Sequence, residues 1–524
     1  MPSRAALEAR ARARARFAAC GMAPGRGFLP AEAAAAAGGG EDPGARVLGS
    51  SPHRQVWEGL VRELPALLHA GRLRRTLEAM PQLDAGPEAL PAADLPRALQ
   101  LLAFLGNAYV FAAAEPAPGG AAGPGVAPRV PAALAVPWCR VAARLGVPPT
   151  LSHASVVLRN WRRLDPAGPV ALGNLAAPCQ MLGGMDEAHF YLATVEVEAR
   201  GAPGLFAAVA AQEVAAAAAA GAVDAAAAAA AVAELLAEVA ASLAGMRAAL
   251  AQLPARCTPE VFWLRVRPFL AGWRGNPALP DGLVYEGVWP EPRRFYGGSA
   301  AQSSLVPAFD ALLGIDHGGR RCCAGGYLAE MRAYMPREHR RFLAGLEGAA
   351  SLAPLRAFCA RHPAAAARFD AAVRGLGEFR ALHMRIAHRY VVRPAATAAA
   401  SATDGRLAGT AGGKGTGGTG VLELLRPLLA DTERAALAAP APAEGRGKGR
   451  AKAKPVGPAA ALGQLLLLAV QAALLLLLAA AAARLREGPL AAATEAYSPR
   501  ALSMEALAEA NGTWWEGPAV HVRC

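Results

Sequence analysis

The sequence has few β-branched runs with strict alternation of apolar and polar residues, so little in it predicts β-sheet. It also lacks CxxC pairs, and its eight cysteines are scattered along 524 residues. A chain of this length can bury enough apolar surface to fold without disulfide bonds. Leu and Ala dominate the apolar residues. We therefore predict an all-α protein in a reducing compartment, the cytoplasm.

A basic surface with interleaved aromatic residues is also missing, although the net charge is +13. Seven arginines lie in residues 1–50, and five Lys or Arg residues lie between Arg446 and Lys454. Much of the excess charge therefore belongs to terminal segments, and the sequence predicts no nucleic-acid partner. No repeat period is visible, which argues against a solenoid.

Helical patterns with Pro- and Gly-rich turns fill the middle of the chain. They predict a small helical domain at 51–175 and a large domain at 176–437, and the Ala-rich run 214–253 predicts one long helix. Residues 1–50 are rich in Ala, Arg and Gly. Two interpretations of this basic arm stay open, a disordered segment and a targeting peptide.

The C-terminal part divides into three segments. Residues 438–458 are a basic Pro/Gly linker, 459–483 carry no charge, and 484–524 form a tail. The uncharged segment is long enough to cross a hydrocarbon core of ~30 Å, and the basic residues before it would keep the body in the cytoplasm. Its Gln464 and the many alanines favour instead a helix packed on the body or on a partner. Both interpretations stay open.

Three short motifs resemble known binding sites, but the residues around them do not support those functions. GTGGTG at 415–420 follows no strand, so it does not indicate dinucleotide binding. The stretch around Lys414 lacks the first glycine and the Ser/Thr of a phosphate-binding loop. His317 with Cys322 and Cys323 lacks a second pair of zinc ligands at suitable spacing.

One helix has a histidine in its apolar stripe. Leu376, Phe379, His383, Ile386 and Tyr390 recur at spacings of three, four, three and four. An imidazole is costly to bury unless its nitrogens are used, either in a hydrogen bond within the core or in binding a metal. Spacing alone favours the first.

An arginine also lies on an apolar helix face. Arg267 accompanies Phe262, Trp263 and other aromatic residues, and burial of its charge requires either an ion pair within the protein or a bound anion. Further along, GGSAAQSS at 297–304 is a small-residue turn that either caps the next helix or lets another group approach its backbone.

Together these segments resemble the indoleamine 2,3-dioxygenases, haem enzymes that open the indole ring of tryptophan. The resemblance covers roughly residues 51–437 and implies an all-α fold in which a small N-terminal domain lies over a large haem-binding domain. The motifs that carry it are, in chain order, AVPWCRVAARLGVPP, VLRNWRRLDP, LAGWRGNPALPDGLVYEGVW, GGSAAQSSLVPAFDALLGI, MRAYMPREHRRFL, RALHMRIAHRY and KGTGGTG.

The resemblance implies roles for residues on both sides of a haem. His383 matches the axial iron ligand, Asp310 a residue near that ligand, and Arg380 a partner of a haem propionate. On the substrate side, Phe262 and Arg267 match the pair that packs on the indole and binds the substrate carboxylate.

Further matches concern the pocket walls. Ser299 and Ala300 match residues that line the distal pocket, and Thr416 matches a loop residue that closes over the substrate. The sequence departs from the family pattern at Trp263, where the family often has Phe, and at two further positions. These are Thr194 in place of a distal serine and His153 in place of a tyrosine near the indole.

The implied activity is insertion of O2 across the C2–C3 bond of L-tryptophan to give N-formylkynurenine, the first step of the kynurenine pathway. It requires haem b with ferrous iron and an unidentified electron donor, and we expect a monomer. Two alternatives stay open. One is an oxygen carrier or sensor of the same fold, and the other is a non-haem scaffold in which His383 is a core residue.

Overall fold

The structure is a computed structural model that describes residues 3–30, 42–49, 51–113, 125–318, 323–348, 354–398 and 420–437. They belong to one unit, which runs from Met1 to Ala441. Helices dominate, which confirms the all-α prediction. The α-helices are α1 Arg4–Ala19, α2 Ser51–His53, α3 Gly59–Arg62, α4 Leu64–His69, α5 Leu73–Glu78, α6 Leu95–Phe111, α7 Ala132–Leu145, α8 Met185–Ala219, α9 Ala225–Ala251, α10 Leu253–Arg256, α11 Pro259–Val261, α12 Arg267–Leu270, α13 Leu305–Leu313, α14 Cys323–Met331, α15 Arg337–Glu347, α16 Pro354–Arg361, α17 Pro363–Ala387, α18 Arg393–Ala398 and α19 Val421–Arg434.

Shorter elements complete the described fold. Strand β1 pairs with β4 in parallel, and β2 pairs with β3 in antiparallel fashion; the strands are β1 Arg129–Val130, β2 Arg162–Arg163, β3 Leu175–Ala176 and β4 Val284–Tyr285. The π-helical segments are Arg54–Glu58, Ala154–Leu158, Phe262–Val266 and His388–Val392. The 3₁₀ segments are Ala92–Asp94, Leu172–Asn174, Ala300–Gln302 and Arg332–Tyr334.

Helices α8 and α9 form the centre of the fold, with α17 packed on α9 and α1 packed on α8. The prediction of one helix over 214–253 is wrong, because the chain turns between them. Gly221 takes a left-handed backbone with φ of 71°, which glycine adopts without strain. The Asp224 carboxylate then caps α9 by accepting hydrogen bonds from the backbone N–H groups of Ala226 and Ala227, at 3.0 Å each.

Two apolar clusters fill the interior. One joins the helices before residue 195 to residues 253–285, around Trp138, Trp161 and Trp273. The other joins α1, α8 and α9 to α13, α15, α16 and α17. The segment 253–285 thus packs with residues much earlier in the chain. The division at residue 175 stays a prediction.

Part of the predicted basic arm is a packed helix, so the disordered interpretation is wrong for residues 4–19. Ala6, Ala9, Ala13 and Phe17 are all fully buried and lie on one face of α1. The arginines occupy the other face, where Arg16 pairs with Glu213 of α8 at 2.9 Å. The apolar face consists mostly of alanine, which is why the alternating Ala-Arg sequence did not indicate it.

Two described helices are long and apolar enough to span a membrane by length and composition alone, Met185–Ala219 and Ala225–Arg256. Of the apolar window in the first, 67% is buried within the protein, as in the core helix of a globular domain. The segment 459–483, for which the sequence allows a span, lies outside the described residues.

Candidate active site

An arginine and two aromatic residues form one wall of the candidate site. Phe262 and Trp263 begin the π-helical segment, and Arg267 follows as the first residue of α12. Arg267 is fully buried, and its guanidinium carbon lies 4.8 Å from the centroid of the Trp263 ring. Burial lowers the pKa of Arg267 to about 9, so the side chain remains charged at neutral pH. A substrate carboxylate would stabilise this buried charge.

Phe262 connects this wall to two other helical elements. Its ring lies 4.6 Å from that of Phe190 on α8 and 5.7 Å from that of Tyr390, in the π-helical segment that continues α17. The Tyr390 hydroxyl donates to the carbonyl of Cys257, which fixes the ring. The aromatic contacts therefore join the arginine wall to the helix that carries His383.

The small-residue turn lies directly against α12. The Gly298 N–H donates to the Leu270 carbonyl at 3.0 Å. A Cβ atom at Gly297 would lie 2.2 Å from that carbonyl oxygen, so only glycine allows this approach. Ser299 then caps the short helix Ala300–Gln302 and accepts from the Ala301 N–H at 3.3 Å. The turn thus caps the short helix Ala300–Gln302, and the group that approaches it closely is the backbone of α12. Approach of a ligand to this turn stays a prediction.

Gln302 joins this turn to His153. Its side-chain carbonyl accepts from the His153 backbone N–H at 2.9 Å, and its amide donates to the Gly297 carbonyl at 2.8 Å. Ser299 is half-buried next to this bridge, whereas Ala300 is exposed. The structure therefore connects His153 to Ser299 through Gln302. That these residues line a distal pocket stays a prediction.

Glu198 of α8 anchors the His153 side chain, and sequence reasoning missed it. One carboxylate oxygen, Oε1, lies 3.0 Å from Nε2 of His153 and accepts from the Ser303 hydroxyl at 2.6 Å. The other oxygen, Oε2, is buried and accepts no hydrogen bond from the described residues. One helical turn earlier, the Thr194 hydroxyl donates to the Phe190 carbonyl at 3.1 Å. An acidic residue in the middle of a mostly apolar helix was the available signal.

His383 lies on α17, as the apolar stripe predicts, and Leu376, Phe379, Ile386 and Tyr390 of that stripe are all buried. Within the described ranges, its imidazole makes no hydrogen bond or ion pair. Burial, together with the positive charge of Arg380, lowers the pKa of His383 to about 4. The ring is therefore neutral at physiological pH, with a nitrogen lone pair that can bind a metal.

Arg380 and Asp310 form a buried ion pair one turn before His383. The Nη2 of Arg380 donates to both Asp310 oxygens, at 2.8 and 2.7 Å, and Nη1 donates to the Thr432 hydroxyl. The positive charge of Arg380 and hydrogen bonds outweigh the desolvation of Asp310, so the pKa of that carboxyl lies below its usual value. Among the described residues, Asp310 contacts Arg380 and His317 rather than His383. Its effect on the histidine would therefore act through Arg380.

The structure thus groups the predicted residues in three sets. Phe262, Trp263 and Arg267 form the first. His153 and Ser299 form the second, through Gln302. Ala300 follows Ser299 in the chain, and Thr194 lies on α8 one turn before Glu198. Asp310, Arg380 and His383 form the third, and Tyr390 links it to Phe262. Thr416 lies outside the described residues.

A haem fits the third set better than a bare metal ion. Over the described part of the chain, no three His, Cys, Asp or Glu side chains converge as a ligand set. Haem supplies four nitrogens of its own and needs only one or two protein ligands. A neutral, half-buried histidine without a hydrogen bond, flanked by an arginine that could face a propionate, suits that requirement.

Comparison with known proteins agrees with this site. A family profile described as indoleamine 2,3-dioxygenase matches residues 41–435. The chain is 34% identical over 387 residues to indoleamine 2,3-dioxygenase 1 of Rattus norvegicus, covering 73% of this chain and 90% of the relative. It is also 34% identical to indoleamine 2,3-dioxygenase 2 of Mus musculus, over 74% and 90% of the two chains. A 6-hydroxytryptophan 2,3-dioxygenase of Fusarium equiseti is 31% identical, over 72% and 90%.

The profile covers the parts of both apolar clusters from residue 41 onward and all the described candidate residues, whereas α1 lies outside it. The relatives are named as dioxygenases, which supports an enzyme of this class. The protein is therefore an oxidoreductase that belongs to the indoleamine 2,3-dioxygenase family.

Proposed function

We propose that this protein binds haem b through His383 and inserts both atoms of O2 across the C2–C3 bond of L-tryptophan. The bond between the two ring carbons breaks, each carbon receives one oxygen atom, and the product is N-formylkynurenine. The observation that carries the substrate assignment is Arg267, a fully buried guanidinium that lies over the Trp263 ring. Tryptophan presents both of the groups that such a site suits, a carboxylate and a flat apolar ring.

Arg267 would hold the substrate by its carboxylate. The planar guanidinium can donate two parallel hydrogen bonds, which fix direction as well as distance. Its stacking on Trp263 restricts the orientation of the guanidinium plane. The ring of Phe262, held between Phe190 and Tyr390, then provides an apolar surface for the indole. The substrate would thus be oriented at both ends.

Haem, when bound, supplies the ferrous iron at which dioxygen is activated. The chain's own contribution on that side is a neutral imidazole, kept unprotonated by burial and by Arg380. Arg380 would also pair with a carboxylate on the edge of the cofactor, because two of its donors are engaged by Asp310 and further N–H groups remain. The aromatic wall excludes water from the reacting ring.

The test combines a spectrum with a labelled product. After haem supply, the purified protein should show a Soret band that the His383→Ala variant lacks. With L-tryptophan, a reductant and oxygen-18 gas, the product should contain two labelled oxygen atoms. A Soret band without product would favour the oxygen carrier, and absence of the band would overturn the haem site.

A hydroxylated indole is a second candidate substrate. The relative from Fusarium equiseti is named for 6-hydroxytryptophan. The Glu198 carboxylate lies beside His153, and its buried Oε2 has no hydrogen-bond partner among the residues that the structure describes. It provides a polar feature that plain indole does not require. Comparison of kcat/KM for tryptophan and its hydroxylated forms in the same assay decides between them. The monomeric state, the electron donor and the cytoplasmic location stay predictions.

A further inference from the structure

Arg380 is the point at which three helices meet. It lies on α17, three residues before His383. Its terminal nitrogens donate to Asp310 of α13 and to Thr432 of α19. The Arg380 and Asp310 side chains are only 8% and 10% exposed, so their pairing is not a surface contact. The orientation of the guanidinium therefore depends on how α19 and α13 are held against α17.

His317, which follows α13, connects these elements a second time. Its Nε2 lies 3.2 Å from Oδ2 of Asp310, and its Nδ1 lies 2.8 Å from Oδ2 of Asp431 on α19. Carboxylates only accept hydrogen bonds, so both contacts are satisfied only when both ring nitrogens carry a proton. Burial lowers the pKa of His317, but the hydrogen bonds to Asp310 and Asp431 outweigh it, and the pKa lies above its ordinary value.

The neutral ring would be arranged differently. The Nη2 of Arg380 lies 3.4 Å from Nε2 of His317, so an unprotonated Nε2 can accept from Arg380 instead of donating to Asp310. The charged groups that face His317 from the packed helices are Asp310 on α13, Arg380 on α17 and Asp431 on α19. Loss of one proton from His317 therefore allows Arg380 to donate to His317 as well as to Asp310.

The last turns of α19 are attached to the body from two sides. Asp431 and Thr432 attach its buried side, and Arg434 pairs with Asp431 from the solvent side. These contacts hold the C-terminal part of α19 next to Arg380 and His317.

We propose that His317 is a positioning residue that, as an imidazolium, ties Asp431 of α19 to the Asp310–Arg380 pair and so directs Arg380 toward the acidic edge of the cofactor. This inference rests on the proposed haem site. It assigns a role to a histidine that the sequence motifs had discounted. It also makes retention of the cofactor sensitive to pH through a residue that does not bind the iron.

The test measures haem transfer from the holoenzyme to excess apomyoglobin between about pH 6 and pH 8.5. This range begins just below the ordinary histidine pKa of about 6.5 and extends well above it. The wild-type rate should rise with pH as His317 loses its proton. The His317→Gln variant should lose haem about tenfold faster than the wild type at the acidic end, a difference of about 1.4 kcal/mol, and its rate should not depend on pH. Asp431→Asn should also weaken the pH dependence.

Two control variants separate positioning from general weakening. Arg247→Gln removes an exposed ion pair with Glu378 on the same helix α17, and should leave the rate unchanged. Leu428→Ala removes buried packing of α19 without touching the hydrogen bonds, and should lower the Tm while keeping the wild-type pH dependence.

The outcomes are distinguishable. A wild-type protein without a Soret band overturns the haem site and this inference with it. A wild-type protein that binds haem, together with a His317→Gln variant that matches it at every pH, overturns the inference alone. Loss of pH dependence in Leu428→Ala would likewise show that helix packing, rather than His317, controls Arg380.

Discussion

At the scale of single residues, the buried Arg267 gives the sharpest expectation for activity. Arg267→Ala should lower kcat/KM for tryptophan by about 10²-fold or more, since a charge-assisted hydrogen bond contributes roughly 1.5–3 kcal/mol and the clamp has two. Arg267→Lys should retain only part of the wild-type kcat/KM, because an ammonium group cannot donate two parallel hydrogen bonds to a carboxylate as a guanidinium does. Steady-state kinetics at equal haem occupancy measures both.

Arg265 provides the matched control for this substitution. It lies two residues earlier in the same segment, but it is exposed. Arg265→Ala should therefore leave kcat/KM within about twofold, as expected for a surface substitution within ±0.5 kcal/mol. An equal loss in the two variants would mean that net charge, rather than a carboxylate clamp, affects the reaction.

Residue roles could be predicted from the sequence where a single segment carries them. Phe262, Trp263 and Arg267 occur within six residues, and His383 stands out in its own stripe. Glu198 could not be found in this way. Its partners His153 and Ser303 come from segments 45 and 105 residues away, and a glutamate in a helix ordinarily faces solvent.

At the scale of secondary structure, α1 is the element that the sequence concealed. The ring of Phe17 packs edge-on against Phe206 at 5.5 Å and Phe342 at 5.2 Å. Phe17→Ala should lower the free energy of unfolding by about 3 kcal/mol or more, as is usual for a buried phenylalanine. Urea unfolding of the haem-loaded protein measures the change.

Leu7 offers a control on the same helix. It is 53% exposed, so Leu7→Ala should change the free energy of unfolding by less than about 0.5 kcal/mol. If Phe17→Ala is equally mild, α1 does not contribute to the stability of the body. The family profile begins at residue 41, so this helix lies outside the matched region.

Helix periodicity predicted the existence of most elements but not their irregularities. Of the four described π-helical segments, one follows His153, one begins at Phe262 and one continues the helix of His383. A π turn adds a residue and shifts which side chains face inward, and such turns are frequent at functional sites. A regular 3.6-residue pattern does not include this extra residue. The sequence therefore predicted an aromatic helix face but not the shift in which side chains point inward after each π turn.

At the scale of the whole molecule, a buried histidine predicts sensitivity to acid. Burial of His339, together with the charges of Arg159 and His153, lowers its pKa to about 3. The unfolded chain binds this proton near the ordinary pKa of about 6.5. Stability should therefore fall as the pH drops below about 6.5 and continue to fall toward pH 3.

Urea midpoints measured at a series of pH values test this expectation. The His339→Asn variant has no titrating group at this position, so its midpoint should decline less steeply over the same range. It loses a contact with the Ser304 hydroxyl at 3.4 Å and the packing of Phe28 at 4.8 Å, so its absolute stability should be lower at neutral pH. Parallel curves for the two proteins would assign the acid sensitivity to other groups.

The global arrangement was the least predictable from sequence. Helix content and the resemblance indicated an all-α haem domain, but the core that joins residues 253–285 to the N-terminal helices depends on contacts between distant segments. Likewise, the Asp310–His317–Asp431 bridge includes a contact between residues 114 positions apart, His317 and Asp431. Neither leaves a local pattern of apolar spacing.

The burial of the thiols has a practical consequence. Cys20, Cys139, Cys179, Cys257 and Cys359 are all reduced and buried, and burial raises the pKa of Cys139, Cys257 and Cys359 to about 12. Such thiols react with alkylating reagents only when the surrounding structure opens. The alkylation rate of each cysteine, measured by mass spectrometry of its peptide, would report the rate of local opening at five places in the two apolar clusters. The same shielding protects these sulfurs from oxidation in an enzyme that consumes dioxygen.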